Sequence, residues 1–358
     1  MRHMKQKPIA VLFGGRSPEY EVSLASAAGV LEHMDRRRYL PVMVGITQHG
    51  AWYHFTGSIG QIAAGAWQSG PDCTPALLSP NPKDRSLLVF REGAVTPIPL
   101  DGVFPILHGK NGEDGTVQGL CQLAGLPVVG CGVLASALCM DKDRAHRLGR
   151  AHKLASLAGV AVPASLVLNL GEDPQAAVDF ARQTGYPLFV KPVRAGSSYG
   201  VSKVYKQEHL LPAISAALRY DDRVLVEACI GGSEVGCAVM GTHTLITGEI
   251  DQISLGSGFF DYTEKYNLIT AKIHVPAPIP AETAARLKET AKKIYRVLGC
   301  SGFARVDMFL TGSREILFHE VNTIPGFTPH SRFPNMMEAA GIPLQEVITR
   351  AIEEAVVL

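Results

Sequence analysis

The residues in this chain that could do chemistry fall into four groups. The first is a pair of lysines, Lys142 and Lys191. Lys191 closes the apolar run Leu188-Phe189-Val190-Lys191-Pro192, so its stem is buried and its ammonium is costly unless it meets an anion such as phosphate. The alternative is a lysine that snorkels from a strand edge. The second group follows directly. Arg194-Ala195-Gly196-Ser197-Ser198-Tyr199-Gly200 places glycines around two hydroxyls, a loop whose N–H groups can wrap a phosphate. It contains no Walker A sequence, and on its own it reads first as a plain hairpin turn. The third group is Asp307, Glu320 and Asn322. Residues i and i+2 of a strand share a face, and two carboxylates with an amide oxygen make a hard oxygen site suited to Mg²⁺ with nucleotide phosphates. Carboxylates brought together need a cation between them; if they stay apart, each forms its own salt bridge on an exposed strand. The fourth is the polar, glycine-rich segment His108-Gly109-Lys110-Asn111-Gly112-Glu113-Asp114-Gly115. It follows a buried strand, the place where α/β sheets bind ligands. Gly14-Gly15 with Glu19 occupies the same kind of strand end, although a lone Glu19 also suits a helix N-terminus.

These groups must be positioned by regular elements. Ile9–Phe13, Leu40–Ile46 and Gly102–Leu107 read as buried parallel strands. Val22–His33 lies between the first two with apolar residues at helical spacing, giving a βαβ unit and a doubly wound parallel sheet. Val117–Ala124 is a short helix closed by Gly125 and Pro127. A second region opens near Val128, with one long helix expected from about Ser136 to Ala158. Strands follow at Leu166–Leu168, Leu188–Pro192, Val201–Tyr205 and Val224–Glu227, with helices near Pro174–Thr184 and Glu208–Leu218. The third region mixes strands Glu234–Met240, Phe303–Phe309 and Ile316–Glu320 with helices Ala281–Leu298 and Pro343–Val356. The predicted fold is therefore α/β, turning α+β towards the C-terminus. Residues 254–270 have neither period, and loops of that length are usually functional or disordered. A six-residue duplication, Arg144–Gly149 followed by Arg150–Ala155, falls within the long helix.

Bulk properties set outer limits. With 358 residues there is room for two or three domains. A formal net charge of +1 gives no bulk attraction to nucleic acid or an anionic membrane. No apolar run approaches the roughly 20 residues needed to cross a bilayer, and the first run is cut at once by Gly14-Gly15, unlike a signal peptide. The odd set of seven cysteines fits neither a disulfide framework nor a zinc site. They read as small core residues in a reducing cytoplasm.

Taken in order, the motifs resemble the D-alanine–D-alanine ligase family over nearly the whole chain. They are Leu12-Phe13-Gly14-Gly15 with Glu19 and Glu21-Val22-Ser23; Leu107-His108-Gly109 through Gly115; Met140-Asp141-Lys142; Val190-Lys191-Pro192 through Ser198; Asp261-Tyr262 through Lys265-Tyr266; and Glu320-Val321-Asn322-Thr323 through Pro325-Gly326-Phe327-Thr328. The resemblance implies an ATP-grasp fold in three domains (1–128, 129–230 and 231–358), residues 254–270 as a lid, and a homodimer. It implies ATP held by Lys142, Lys191 and Ser198, with Glu227 and Glu234 at the adenine and ribose. It also implies two Mg²⁺ ions, or Mn²⁺ in their place, on Asp307, Glu320 and Asn322. Glu19 would hold the ammonium of the first D-alanine, with His108 near its carboxylate. Arg305 and the Gly326 N–H would form the oxyanion hole, and Ser197 and Tyr266 would link to Glu19. Lys265 and Tyr266 would close over the site, because an acyl-phosphate hydrolyses where water reaches it. Two other readings are an ATP-grasp ligase of another kind, such as a carboxylase subunit or a peptide ligase, which does not call for the Glu19–Ser197–Tyr266 set, and a nucleotide-binding protein without catalysis, which would be expected to lose a Mg²⁺ ligand or Arg305, all of which are present.

The chain departs from the plain D-alanyl-D-alanine enzymes, which typically carry Tyr at position 260 and Leu at position 332. Here those positions are Phe260 and Arg332, within Gly258-Phe259-Phe260-Asp261 and His330-Ser331-Arg332-Phe333. With Asp251, they resemble the D-alanine–D-serine ligases of vancomycin resistance, which implies D-serine, or D-alanine failing that, in a subsite formed by Phe260, Ser331 and Arg332. Arginine has five donors and no acidic state, and a site built to bond a hydroxyl rejects an analogue that lacks one. The alternative is that Arg332 only pairs with Asp251. D-Lactate is disfavoured because ligases of that type carry a histidine-bearing loop in place of Lys265-Tyr266.

Overall fold

The computed structural model describes residues 5–151, 160–254 and 272–356. The first sheet contains β1 (Lys7–Gly14), β2 (Tyr39–Ile46), β3 (Trp52–Phe55), β4 (Cys73–Leu78), β5 (Ser86–Arg91), β6 (Ala94–Pro99) and β7 (Gly102–Pro105), in the order β6-β5-β4-β3-β2-β1-β7. β1 runs parallel to β2 and β7, and Ile9 to Phe13 are fully buried, as expected for a parallel strand covered on both faces. Helix α1 (Tyr20–His33) makes the crossover to β2. From β2 outward the sheet continues as an antiparallel meander to β6. The predicted parallel strands are thus present, and the antiparallel strands extend their sheet. A short helix α2 (Ile59–Ala63) and α3 (Thr116–Leu123) complete this part.

The expected long helix from Ser136 is corrected to two. Helix α4 (Val133–Met140) starts earlier and ends at Asp141, whose backbone is extended (φ −87°, ψ 96°). The Asp141 carboxylate then accepts the N–H of Arg144 at 3.0 Å, capping α5 (Lys142–Ala151). This break turns Lys142 out at a helix start. The rest of the expected helix, with most of the second copy of the duplication, lies outside the described residues.

The second sheet is antiparallel, in the order β10-β9-β11-β8, from β8 (Ser165–Asn169), β9 (Leu188–Pro192), β10 (Ser202–Val204) and β11 (Arg223–Ala228). Strand alternation splits it cleanly. Leu188, Val190, Val224 and Val226 pack on α6 (Gln175–Thr184) and α7 (Leu210–Ala217). Phe189, Lys191 and Glu227 face the other way, towards a cavity.

The third sheet has the order β14-β13-β12-β15-β16, from β12 (Ser233–Met240), β13 (Ile246–Ser254), β14 (Lys272–His274), β15 (Phe303–Leu310) and β16 (Ile316–Asn322). Val235, Cys237, Val239, Val306 and Met308 pack on α8 (Ala281–Val297). The opposite face carries Glu234, Gly236, Arg305 and Asp307, and the register sets Asp307 beside both Gly236 and Glu320. Helix α9 (Arg332–Ala339) lies on β12 and β13, and α10 (Leu344–Val356) joins the core shared with the first sheet. All seven cysteines are free, five of them buried, which agrees with their reading as core residues. Among the described residues no helix is long and apolar enough to cross a membrane.

Candidate active site

Two cavities meet at the loop between β9 and β10. That loop is both a hairpin connection, since β9 and β10 pair antiparallel, and a wall of each cavity through Gly196 and Ser197. The hairpin reading is therefore met, and the loop also stands where it could meet a ligand. Ser197 and Ser198 adopt left-handed φ values of 47° and 60°, backbone conformations that non-glycine residues adopt only where surroundings enforce them.

The first cavity, of about 220 Å³, lies between the second and third sheets and is lined by Lys142, Lys191, Ser198, Glu227, Glu234 and Glu320 among others. Lys191 Nζ sits 2.6 Å from Glu227 Oε2, both buried. Burial pushes the Glu227 carboxyl up, but Lys191 and His146 outweigh it and hold the group below the usual carboxylate range. Lys142 Nζ donates to the Ala195 carbonyl at 2.8 Å and stands 3.6 Å from Glu320 Oε2. At the cavity wall, Glu227 Oε1 and His319 Nδ1 are buried without hydrogen-bond partners, with His146 Nδ1 behind them 3.8 Å from Glu227 Oε1. Unsatisfied buried polar atoms are costly, so this wall suits a ligand edge that offers both donors and acceptors.

The expected metal ligands come together where β15 meets β16. Asp307 is fully buried and in register with Glu320, while Asn322 Nδ2 donates to Asp307 Oδ2 at 3.0 Å. Arg305 also binds Asp307, at 2.8–3.1 Å. Burial raises the Asp307 pKa, yet Arg305 and Arg332 hold it below the ordinary value, so the group is an anion. Among the described residues no cluster of three or more His, Cys, Asp or Glu could hold a metal by itself. Two carboxylates and an amide fit a hard divalent cation that brings its remaining oxygens as water and phosphate.

The second cavity, of about 380 Å³, is lined by Glu19, His108, Glu113, Arg305, Gly326 and Arg332 among others. Glu19, at the start of α1, is almost fully buried and accepts a hydrogen bond from Ser197 Oγ. Glycine makes room for its carboxylate. A Cβ on Gly196 would stand 2.8 Å from Glu19 Oε2, and one on Gly109 would overlap the same oxygen. His108 is buried, with Nε2 3.2 Å from Ser26 Oγ, and burial pushes its pKa down to about 4. Glu113 accepts from the N–H groups of Gly109 (2.9 Å) and Ile324 (3.0 Å), clasping the β7 loop to the loop bearing Gly326. Burial, then the charge of Glu19, pushes its carboxyl up to about 8. The motif containing Glu113 was visible in sequence, but this clasp was not.

Arg332 opens α9 and is only 7% exposed. Its Nε and Nη2 grip Asp251 at 2.6 and 2.8 Å, Nη1 reaches Glu234 at 3.1 Å, and Nη2 stands 3.4 Å from Asp307. Ser331 and Arg332 line the cavity, whereas Asp251 is 0% exposed and lies behind Arg332. Asp251 therefore seats the arginine and does not reach the cavity itself. Glu234 touches both cavities' machinery, lining the first and bonding Arg332 of the second. Phe260, Lys265 and Tyr266 lie outside the described residues.

A cleft between two antiparallel sheets, with two lysines on one side and an acidic strand pair on the other, is the architecture of the ATP-grasp ligases. The chain belongs to the D-Ala-D-Ala ligase family: the model for the D-ala D-ala ligase N-terminus matches residues 8–131 and that for its C-terminus residues 154–353. The crystal structure of the VanG D-Ala:D-Ser ligase from Enterococcus faecalis superposes with a TM-score of 0.88 at 50% identity, covering 98% of this chain and 99% of that one. A Streptomyces coelicolor protein provisionally named a D-alanine–D-lactate ligase is 46% identical over 98% of both chains. A D-alanine–D-alanine ligase of Caldicellulosiruptor bescii is 40% identical over 99% of this chain and 96% of its own. The family implies ATP and a divalent metal, and relatives differ in the second D-residue.

Proposed function

We propose that this chain joins D-alanine to D-serine at the expense of ATP, giving a dipeptide for peptidoglycan precursors. The observation that carries the reading is Arg332: a buried, fully ionised guanidinium at the wall of the cavity that also holds Arg305 and Gly326. In that place it can donate to the hydroxyl of D-serine, and D-alanine leaves the donor unmet.

In the first step ATP lies in the cleft between the second and third sheets, its phosphates met by Lys142, Lys191 and the Ser197–Ser198 loop. The carboxylate of D-alanine attacks the γ-phosphorus; an O–P bond forms, the bond to ADP breaks, and a D-alanyl phosphate results. Asp307, Glu320 and Asn322 would hold the divalent ions, two Mg²⁺ or Mn²⁺ on this reading, which would supply charge neutralisation for that transfer. Glu19, oriented by Ser197, holds the ammonium of D-alanine, and neutral His108 lies near its carboxylate. In the second step the free amine of D-serine attacks the acyl carbon, inorganic phosphate leaves, and the amine gives up its proton. Arg305 and the Gly326 N–H are donors for the tetrahedral oxyanion, contributions of about 3–4 kcal/mol each in such sites. Closure of the site falls to Lys265 and Tyr266 on the family resemblance, both outside the described residues. The same reading carries three lobes, 1–128, 129–230 and 231–358, a homodimer, and a cytoplasmic setting.

The test is a product assay with ATP, D-alanine and equimolar D-serine. D-Alanyl-D-serine should dominate. A predominance of D-alanyl-D-alanine, or of the depsipeptide when D-lactate is added, would defeat the D-serine assignment; no ATP turnover with D-alanine would defeat the ligase itself.

A further inference from the structure

Two glycines on the third sheet set how α9 sits. At Gly248 of β13 an added Cβ would stand 2.8 Å from the carbonyl carbon and oxygen of Met336, so there the helix backbone itself touches the strand. Gly236 of β12 is different. Its Cβ would stand 2.5 Å from Arg332 Nη2, 2.7 Å from Asp251 Oδ1 and 2.9 Å from Met336 Cε. All three are side-chain ends, and the backbone of Gly236 lies outside the left-handed region. Glycine is required here for space alone. The Gly236 N–H also donates to Asp251 Oδ1 at 2.7 Å, so the guanidinium–carboxylate pair lies directly on this residue.

The pair has little freedom to yield. Arg332 is tied to Asp251 at 2.6 and 2.8 Å and to Glu234 at 3.1 Å, and Asp251 is wholly buried. A methyl group at position 236 must lift the guanidinium or break one of these bonds. A misplacement of less than an ångström at a site that orients substrate is enough to cost selectivity.

We propose that Gly236 is a specificity-determining positioning residue: the gap above its Cα is the seat that fixes the height of Arg332 at the second-substrate cavity. This rests on the D-serine reading of that cavity.

The experiment compares wild type, Gly236→Ala, Arg332→Leu and the double variant, measuring kcat and KM for D-serine and for D-alanine as second substrate, with urea unfolding of all four. Gly236→Ala should raise KM for D-serine and lower the D-serine over D-alanine selectivity about tenfold, a change of about 1.4 kcal/mol. In the Arg332→Leu background the Asp251 carboxylate is released from the guanidinium and can move aside with Met336 Cε, so the same methyl should cost little further in selectivity or in stability. An unchanged ratio in Gly236→Ala, an equal loss with both substrates, or the same penalty with and without Arg332 would overturn the seat. If Gly236→Ala alone fails to fold, Gly236→Ala/Arg332→Leu should be about as stable as Arg332→Leu alone, and a clear further loss in the double variant overturns it too. A wild type that prefers D-alanine or D-lactate removes the D-serine reading alone, because the stability cycle still tests the seat.

Discussion

At the level of single residues, Arg332 posed two readings in sequence, a donor for a substrate hydroxyl or a structural partner of Asp251. The structure shows the pairing with Asp251 and also sets the guanidinium on the cavity wall, where the first reading would need it. Sequence could name the pair but not the burial that makes it matter. Removing one member of a buried pair leaves the other uncompensated, at a cost of about 3–5 kcal/mol. Arg332→Leu should therefore lower unfolding stability by about that much, and adding Asp251→Leu should recover part of it; urea titrations of both variants check this, and an additive loss would show that the pair is not coupled. His108 offers a second outcome at this scale. Its ordinary pKa near 6.5 falls to about 4 on folding, through burial, so between these values the unfolded chain binds more protons. Its contribution to stability is full above about pH 6.5 and disappears as pH drops through 4. At about 1.4 kcal/mol per pKa unit this reaches roughly 3 kcal/mol. His108→Asn should flatten the acid limb of a stability–pH curve by about that amount, and an unchanged limb would place the loss in other groups. Glu113 shows what sequence could not give at this scale, since its clasp of Gly109 and Ile324 joins residues 211 positions apart.

At the level of elements, the site was legible wherever one strand has two different faces. Lys191 and Glu227 stand out because their neighbours Val190 and Val226 are fully buried on the other face, and the i, i+2 spacing of Glu320 and Asn322 put both on one side of β16. The meander β3–β6 was not legible, for physical reasons. β3 is four residues long, and Pro75, Pro97 and Pro99 read as breakers. β6 is the sheet's edge, where proline and exposure are tolerated. The break at Asp141 was missed because apolar periodicity runs on through it, and only the capping geometry reveals it. The first strand's end makes a sharp forecast. Gly14 has φ +88°, its N–H is 2.8 Å from Ser23 Oγ, and a Cβ there would lie on the carbonyl oxygen of Ile46. Backbone cannot step aside cheaply as a side chain can. Gly14→Ala should lose roughly 3 kcal/mol or more and, by shifting the turn that presents Glu19, weaken D-alanine binding. Denaturation monitored by circular dichroism, with the KM for the first D-alanine, tests both; a variant as stable as wild type would mean the turn relaxes freely.

At the level of the whole molecule, the cleft proposed for the nucleotide belongs to no single sheet. Lys191 and Glu227 come from the second, Glu234 and Glu320 from the third, and Lys142 from the helix start between the first and second. Ordered motifs in the sequence implied this convergence through family resemblance, but the distances that make it chemical, such as Lys142 to Glu320 at 3.6 Å, required the fold. A ligand that bridges two sheets stabilises the folded molecule by linkage. At a concentration one hundred times its dissociation constant the gain is about 2.7 kcal/mol, which for a chain of this length corresponds to a rise in melting temperature of about 3–4 °C. A non-hydrolysable ATP analogue should therefore raise the melting temperature, and on the proposed metal site more with Mg²⁺ than without, because Asp307, Glu320 and Asn322 would provide only part of a coordination shell and the phosphates would provide more. Glu320→Ala removes one of the two carboxylates and leaves Lys142 without its acidic neighbour. In that variant the analogue should still bind through its base and the lysines, so some stabilisation persists, but the extra increment from Mg²⁺ should vanish. Differential scanning fluorimetry of both proteins, with analogue alone and with analogue plus Mg²⁺, gives the comparison without requiring turnover. A Mg²⁺ increment of equal size in Glu320→Ala would mean that the divalent ion is held elsewhere, and that the strand pair β15–β16 serves only to anchor Arg305 and Lys142.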